Sequence, residues 1–388
     1  MDDKRIACVG GGQLAQMLAQ AARPLGINVR SASAEGSCAF SDCEPFTKDL
    51  NDDNYLIEFL NDVDVFTFES EHEGLEFADR ISSRGIPIYP TPLFVEIAGD
   101  RFLEKTHLSE LNIPVAPFLK IDSNLSIEET TRFILETTNS KSLSEHGIVI
   151  KTRHGGYDGK GQWVISLNSE ADFEKIGSEV FNVLKNPGCI VEGLVDFSLE
   201  CSIVATRSKN GTLATWPLTH NTHENSILRR SLAPISGVNN LELIEKQAIE
   251  IVSELCEKND YVGTIAVECF LTEDGLVVNE IAPRVHNSGH WTIEGSKTSQ
   301  FEQHVRAITG MQLGPTDING YCSMINLVGR SIDQESVKAL DNVYLHWYGK
   351  EVKPDRKVGH ITIVGKSETE RDFLENEVLK ILGEIEPS

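Results

Sequence analysis

Over the first hundred residues, short apolar runs alternate with stretches whose apolar positions recur at helical spacing. Residues 6–9, 27–30, 63–68 and 86–89 read as strands, and 13–22 and 54–60 read as helices between them. A β-α-β-α order of this kind predicts a parallel sheet with helices on its faces. The rhythm breaks at Pro90-Thr91-Pro92, after which 100–112 (ending before Pro114) and 127–138 carry helical spacing. Strand patterns then dominate at 147–151, 162–166, 189–192, 200–205 and 213–217, followed by a helix at 241–258 and a hairpin at 264–282. The tail is again strand-rich at 323–328, 343–347 and 359–364, and closes with a helix at 369–382. Three regions follow: a parallel α/β domain over 1–98, a larger mixed domain over 99–312 and a small β-rich domain over 313–388, with no internal repeat.

Composition narrows the class. A chain of 388 residues is long enough for two or three domains, and 40% hydrophobic with 24% charged residues excludes wholesale disorder. Thirty-five basic against 59 acidic side chains give a net charge of −24, which argues against a non-specific nucleic-acid binder or an anionic-membrane binder. A small anionic substrate in a local basic pocket remains compatible. No run of eighteen apolar residues predicts a membrane span, and Met1-Asp2-Asp3-Lys4-Arg5 is too acidic for a signal peptide, so a cytoplasmic protein is expected. Eight cysteines stand singly without a C-x-x-C pair, which predicts reduced core thiols.

Four stretches carry candidate chemistry. Gly10-Gly11-Gly12-Gln13-Leu14-Ala15 fits G-x-G-x-x-A at a strand-to-helix turn, where glycines permit close approach and the helix N-terminus favours an anion. A dinucleotide site also wants an acid ending the second strand, and that strand ends Val29-Arg30-Ser31-Ala32. A sugar-phosphate contact and a purely structural turn stay open beside the dinucleotide reading. Lys151 through Gly161 place Gly155, Gly156, Gly159 and Gly161 between two β runs, a flexible flap able to fold backbone N–H groups over phosphates. It is not a Walker loop, because no Ser or Thr follows Lys160 and a strand follows in place of a helix. A long surface hairpin is the plain alternative.

The hairpin at 264–282 is the most physical of the four. A three-residue loop, Glu273-Asp274-Gly275, sets Glu268 directly opposite Glu280 on one face. Their Cβ atoms then lie about 4.5–5.5 Å apart, where like charges repel unless a divalent cation turns them into ligands. The inference depends on register, since a two-residue loop sends the two carboxylates to opposite faces. Two glutamates on a wet hairpin face are the alternative, which apolar neighbours weaken. Directly after the hairpin, residues 282–291 pack Arg284, His286, Asn287, Ser288 and His290 into one loop, the donor mixture of a phosphate or oxyanion clamp.

The strings H-G-G-Y-D-G-K-G-Q-W (154–163), P-L-T-H-N-T-H (217–223), V-E-C-F (267–270) and N-E-I-A-P-R-V-H-N-S-G-H-W (279–291) resemble the N5-carboxyaminoimidazole ribonucleotide synthetase family. The likeness extends to G-G-G-Q-L (10–14) and K-E-V-K-P-D-R-K-V-G-H (350–360), nearly the whole chain. The resemblance implies an ATP-grasp fold of α/β and α+β character: an N-terminal Rossmann-like parallel domain, a central ATP-grasp domain with a lid over about 115–192, and a small C-terminal domain. It implies a homodimer that uses ATP, magnesium and bicarbonate to carboxylate 5-aminoimidazole ribonucleotide in purine biosynthesis. Bicarbonate would attack the γ-phosphate, and the carboxyphosphate formed would release carbon dioxide to the imidazole's exocyclic amine, shielded from water by the flap.

By the same resemblance Lys105 and Lys151 hold ATP phosphates, residues 155–161 close over them, and Glu192-Gly193-Leu194-Val195 is the hinge that meets adenine through its backbone. Glu200 takes the ribose hydroxyls, His223 and Asn279 add nucleotide contacts, and Glu268 and Glu280 are the magnesium ligands. Arg284 and Lys151 stabilise the transferring phosphoryl group, Asp158 takes the amine proton, and His286 orients the carboxylate unless it is only a capped loop histidine. Gln13, Glu71, Tyr157, Asp158, Lys160, Asn287, Ser288, Lys350, Arg356 and Lys357 face the ribonucleotide. The chain departs from the family pattern at Lys160, where an arginine is usual, and at Ala15-Gln16, where Gly-Arg is usual. Rival readings are a formate-dependent glycinamide ribonucleotide transformylase on the same fold, a dinucleotide-dependent oxidoreductase using 10–15, and a catalytically dead ATP-binding regulator.

Overall fold

The computed structural model of the chain describes residues 4–155, 161–167 and 171–384. Strands β1 (Arg5–Val9), β2 (Asn28–Ala32), β3 (Glu44–Phe46) and β4 (Val65–Phe68) form a parallel sheet in the order β3-β2-β1-β4. Helices cover both faces, so Ile6, Ala7 and Cys8 are all buried and the run reads as continuously apolar. The strand expected at 86–89 makes only one bridge, Ile88 to Phe66. Pro87 and Pro90 remove the donors a longer ladder needs.

Strands β5 (Phe118–Lys120), β6 (Gly147–Thr152), β7 (Gln162–Ser166) and β8 (Cys189–Gly193) form an antiparallel sheet in the order β5-β8-β6-β7. Ile148 and Ile150 of β6 enter its core, while Val149 and Lys151 alternate onto the face that lines a cavity. The helix Phe173–Val183 shares that core and was not expected from sequence, because its valines and phenylalanines favour strands locally.

The rest is one nine-stranded sheet: β9 (Leu199–Arg207), β10 (Leu213–Thr215), β11 (Thr219–Glu224), β12 (Ile227–Ala233), β13 (Gly263–Thr272), β14 (Gly275–Ala282), β15 (Tyr321–Val328), β16 (Val343–Trp347) and β17 (Lys357–Gly365). Its order is β14-β13-β9-β11-β12-β15-β17-β16, with β10 on β9. The region after 313 therefore extends the central sheet through the β12–β15 ladder, while keeping its own core around Leu327, Val358 and Ile361. One face of the central sheet is apolar, with Ile203, Ile265 and Val267 packed against the helix Leu241–Lys258. The opposite face carries Glu200, Ser202, Asn221, Ser231, Glu268 and Glu280 side by side on neighbouring strands. Strands β11 and β12 escaped the sequence reading for that reason, since a strand whose buried face is polar shows no apolar alternation. Among the described residues no helix is long and apolar enough to cross a membrane.

The helix Gln300–Thr309 ties the N-terminal parallel sheet to the central sheet through His304. Its Nδ1 accepts the Thr264 N–H at 3.0 Å, and its Nε2 lies 2.9 Å from Thr67 Oγ1 of β4. Burial lowers the imidazole from 6.5 to about 4. A depressed histidine stabilises the fold fully above its unfolded pKa, and that stability is lost as the pH falls below about 6.5. We expect the urea midpoint to fall between pH 7 and pH 5, with His304 alone contributing up to about tenfold per pH unit in the unfolding constant. A flat midpoint over that interval would mean that His304 takes up its proton as readily in the folded chain as in the unfolded one.

Candidate active site

The β13–β14 hairpin turns through two residues, Glu273 and Asp274, pairing Thr272 with Gly275 and Cys269 with Val278. The expected three-residue loop is absent, and the pairing beside the turn is one residue out of the expected register. A bulge between Glu268 and Cys269, with Asn279 as the additional residue on β14, restores it, so Glu268 does pair with Glu280. Val278 and Ile281, three apart, consequently both reach the apolar core.

A bulge leaves backbone groups without ladder partners, and the helix Arg101–Glu110 supplies them. Lys105 Nζ donates to the carbonyls of Val278 (3.2 Å) and Asn279 (2.7 Å), and Glu104 accepts the Ile281 N–H at 2.9 Å. Burial pulls the Lys105 pKa down, opposed chiefly by Glu192 at 3.6 Å. Lys105, expected on ATP phosphates, is fully buried and turned onto these carbonyls; of the two candidate lysines it is Lys151 that lines the cavity. Lys151 Nζ bonds Glu192 Oε2 at 3.0 Å and Asn279 Oδ1 at 3.2 Å.

The cavity, about 920 Å³, lies between the β5–β8 sheet and the polar face of the central sheet. Glu268 and Glu280 stand on its floor. Burial and then the Glu280 charge push the Glu268 carboxyl up to about 7. Arg101 NH2 reaches within 4.0 Å of Glu280, and Asn287, also lining the cavity, has its Oδ1 buried without a hydrogen-bond partner among the described residues. This all-oxygen donor set suits a hard dication. Among the described residues no three His, Cys, Asp or Glu side chains converge as a complete metal cage, so phosphate and water oxygens would complete the shell of an ion here.

Beyond the floor, Glu200 is hydrogen-bonded to His223 Nδ1, and both line the cavity. Burial opposes a charged His223, but the Glu200 bond and the nearby Glu268, Glu200 and Glu280 charges outweigh it and raise its pKa. Gly193, the last residue of β8, and Leu194 and Val195 after it line the cavity. The Leu194 backbone is already engaged at both ends, its N–H to Gly147 O and its C=O from Ser144 Oγ. Residues 153–161 join the paired strands β6 and β7; of the residues expected to form the flap, Gly155 and Gly161 are described, and Gly156, Tyr157, Asp158, Gly159 and Lys160 lie outside the described residues.

Lys350 Nζ donates to Gln13 Oε1, and Arg356 and Lys357 line the same cavity. Glu71, expected on the substrate, lines the cavity and grips Arg284, Nε to Oε2 at 2.6 Å and NH2 to Oε1 at 3.2 Å. Burial disfavours the Glu71 charge, but Arg284 more than compensates and holds the carboxyl down at about 2. His286 accepts the Ser288 N–H on Nδ1 and presents Nε2 3.6 Å from Glu268 Oε1, so it is both a cap and a cavity wall. Burial first, then Arg284 and Lys357, depress it to about 3. Ser288, expected to touch substrate, is fully buried behind the ring, against Ser202.

Glu69 fills the anion position of the glycine turn. Its Oε2 accepts the Gly12 N–H at 2.9 Å, and its Oε1 those of Leu14 and Ala15 at 3.2 Å each. A Cβ on Gly10 or Gly12 would fall 2.3 or 2.4 Å from that carboxylate, so these glycines make room for an internal acid. A dinucleotide pyrophosphate has no place there, which removes the oxidoreductase reading. Glu69 was legible as an acid one residue past β4, a strand that adjoins β1; Glu104 and Arg101, on the same helix as Lys105, carried no local signal of their roles.

Three family models cover most of the chain: the ribonucleotide synthetase preATP-grasp domain at 3–99, the ATP-grasp domain at 106–301, and the phosphoribosylaminoimidazole carboxylase C-terminal domain at 322–372. The N5-carboxyaminoimidazole ribonucleotide synthase of Pseudomonas aeruginosa is 40% identical over 362 residues, 92% of this chain and 94% of its own. The chain belongs to the N5-carboxyaminoimidazole ribonucleotide synthase family. The Escherichia coli member is 36% identical over 369 residues, covering 95% of this chain and 92% of its own. The crystal structure of the family member from Thermus thermophilus aligns over 99% of this chain and 100% of its own, with a TM-score of 0.85 and 36% identity. That of the Aspergillus clavatus enzyme, in complex with ADP and 5-aminoimidazole ribonucleotide, aligns over the same shares with a TM-score of 0.84 and 25% identity. The N5-carboxyaminoimidazole ribonucleotide synthases thus share this chain's three-part ATP-grasp architecture from end to end.

Proposed function

We propose that the cavity carboxylates 5-aminoimidazole ribonucleotide on N5 with bicarbonate, at the expense of ATP, releasing ADP and phosphate. The observation that carries it is one cavity with two groups of anion-handling side chains: Lys151 beside the Glu268–Glu280 pair, and Gln13–Lys350 beside Arg356, with Lys357 close enough to act on both Lys350 and Glu268. A triphosphate suits the first group and a ribonucleotide phosphate the second. Family membership favours this reading over the formate-dependent transformylase and the dead regulator.

Glu268 and Glu280 are the residues that would hold magnesium, with Asn287 beside them. Such an ion neutralises charge on the triphosphate oxygens. Lys151 supplies a point charge at the γ-phosphate as a bicarbonate oxygen forms its bond to phosphorus and the bond to ADP breaks. The carboxyphosphate so formed splits into phosphate and carbon dioxide, which the exocyclic amine captures. The amine then loses a proton, for which Asp158 is the candidate acceptor. Arg284, held charged by Glu71, lines the cavity as an ion pair whose remaining guanidinium N–H groups would meet phosphate and carboxylate oxygens. His286, uncharged and turned toward Glu268, orients a carboxylate oxygen through Nε2. In keeping with the family, we infer a cytoplasmic homodimer.

The deciding assay is release of inorganic phosphate. We expect it to require ATP, bicarbonate and 5-aminoimidazole ribonucleotide together; release with formate and glycinamide ribonucleotide in their place would establish the transformylase instead.

A further inference from the structure

The polar face of the central sheet holds a buried hydrogen-bonded chain that runs across three strands to His286. Ser231 Oγ donates to Asn221 Oδ1 at 2.8 Å across the β11–β12 ladder. Asn221 Nδ2 donates to Ser202 Oγ on β9 at 2.9 Å, and Ser202 Oγ donates to Ser288 Oγ at 2.8 Å. The Ser288 hydroxyl lies 2.9 Å from His286 Nδ1. Ser202, Ser231 and Ser288 are fully buried and Asn221 is 3% exposed. Four polar side chains in a core cost stability unless each is satisfied, and here each satisfies the next.

The chain has a direction. Ser288 Oγ accepts from Ser202, so its own proton points to Nδ1, where the Ser288 N–H also arrives at 3.3 Å. Two donors on Nδ1 leave a neutral imidazole one place for its proton, Nε2. Nε2 is the atom 3.6 Å from Glu268 Oε1, on the ring edge that lines the cavity.

We propose that Ser231, Asn221, Ser202 and Ser288 are positioning residues that lock His286 in the Nε2–H tautomer, so that the ring donates a hydrogen bond into the cavity. Ser202 is central, because it sits directly beside Glu268 in the β9–β13 ladder and links the remote pair to the loop. The consequence for catalysis rests on the reading of His286 as a donor to a carboxylate oxygen; the tautomer itself does not.

The test uses full-length protein labelled with 15N-histidine, with the His286 resonances assigned by their loss in His286→Gln. Long-range proton–nitrogen spectra are expected to show Nδ1 unprotonated and Nε2 protonated. In Ser202→Ala the two tautomers should mix, and kcat for phosphate release should fall about tenfold with the KM for ATP unchanged, as for other groups that orient a ligand through a second hydrogen bond. Ser202→Thr, which keeps the hydroxyl, should restore both; Ser231→Ala, at the far end, provides a milder break if Ser202→Ala does not fold. A wild-type proton on Nδ1, a single unchanged tautomer in both alanine variants, or a fall in kcat without a tautomer change would overturn the proposal. Wild-type protein showing the Nε2–H tautomer without phosphate release would sink the functional reading and leave the lock intact.

Discussion

Glu280→Gln is expected to cut ATP turnover at least a hundredfold, about 3 kcal/mol in the barrier, while leaving the fold intact. Glu280 faces Glu268 only because the Asn279 bulge corrects the register of β14. The amide keeps the size and one oxygen of the side chain but removes the charge a dication requires. Two readouts separate metal binding from structure. Turnover and its magnesium dependence should both suffer, whereas the melting temperature of the nucleotide-free protein should hold or rise, because the substitution relieves repulsion with Glu268. The Arg101 contact is long, at 4.0 Å, and its loss should matter little. Turnover within a fewfold of wild type would show that the carboxylate pair is a structural feature of the hairpin and no ligand set.

Lys350→Ala should raise the KM for the ribonucleotide by about 10–100-fold, the worth of a charge-assisted hydrogen bond of about 1.5–3 kcal/mol, and change that for ATP less than twofold. Lys350, in the loop between β16 and β17, reaches Gln13 at the start of the first helix, so one side chain couples residues far apart in sequence. Burial lowers its pKa, with Arg356 and Lys357 adding to the effect, so an incoming anion would favour its charged form. Its bond to Gln13, where Lys151 is the lysine bonded beside the Glu268–Glu280 pair, predicts the asymmetry between the two Michaelis constants. Equal rises in both would instead place Lys350 at a shared junction, such as flap closure.

Much of the fold was written in local pattern. The parallel N-terminal sheet, the long helix Leu241–Lys258 and the closing helix Glu368–Ile381 each repeat an apolar period that a short window can detect. The hairpin β11–β12 and the helix Phe173–Val183 were not legible, for opposite reasons. The first buries serine and asparagine, so it lacks apolar alternation; the second spends strand-favouring residues on a helix. The site divides in the same way. The Glu268–Glu280 pairing was reached through a loop of the wrong length, and the bulge that rescued it depends on Glu104 and Lys105 from a helix more than 170 residues away in sequence.

By itself the sequence determined the residue types that chemistry demands: two acids on one hairpin, a lysine on the strand before a glycine flap, basic residues near the C-terminus, and enough apolar periodicity to build the sheets around them. Only the tertiary structure decided which groups remain available. It placed Glu69 in the helix N-terminus that looked ready for phosphate, closed Glu71 onto Arg284, turned Lys105 onto backbone carbonyls and left Lys151 facing the cavity. The physical reason is that a side chain's charge and donors are spent on whatever is nearest in space. Spacing along a chain fixes neighbours within one strand or helix and says nothing about the partner that arrives from another.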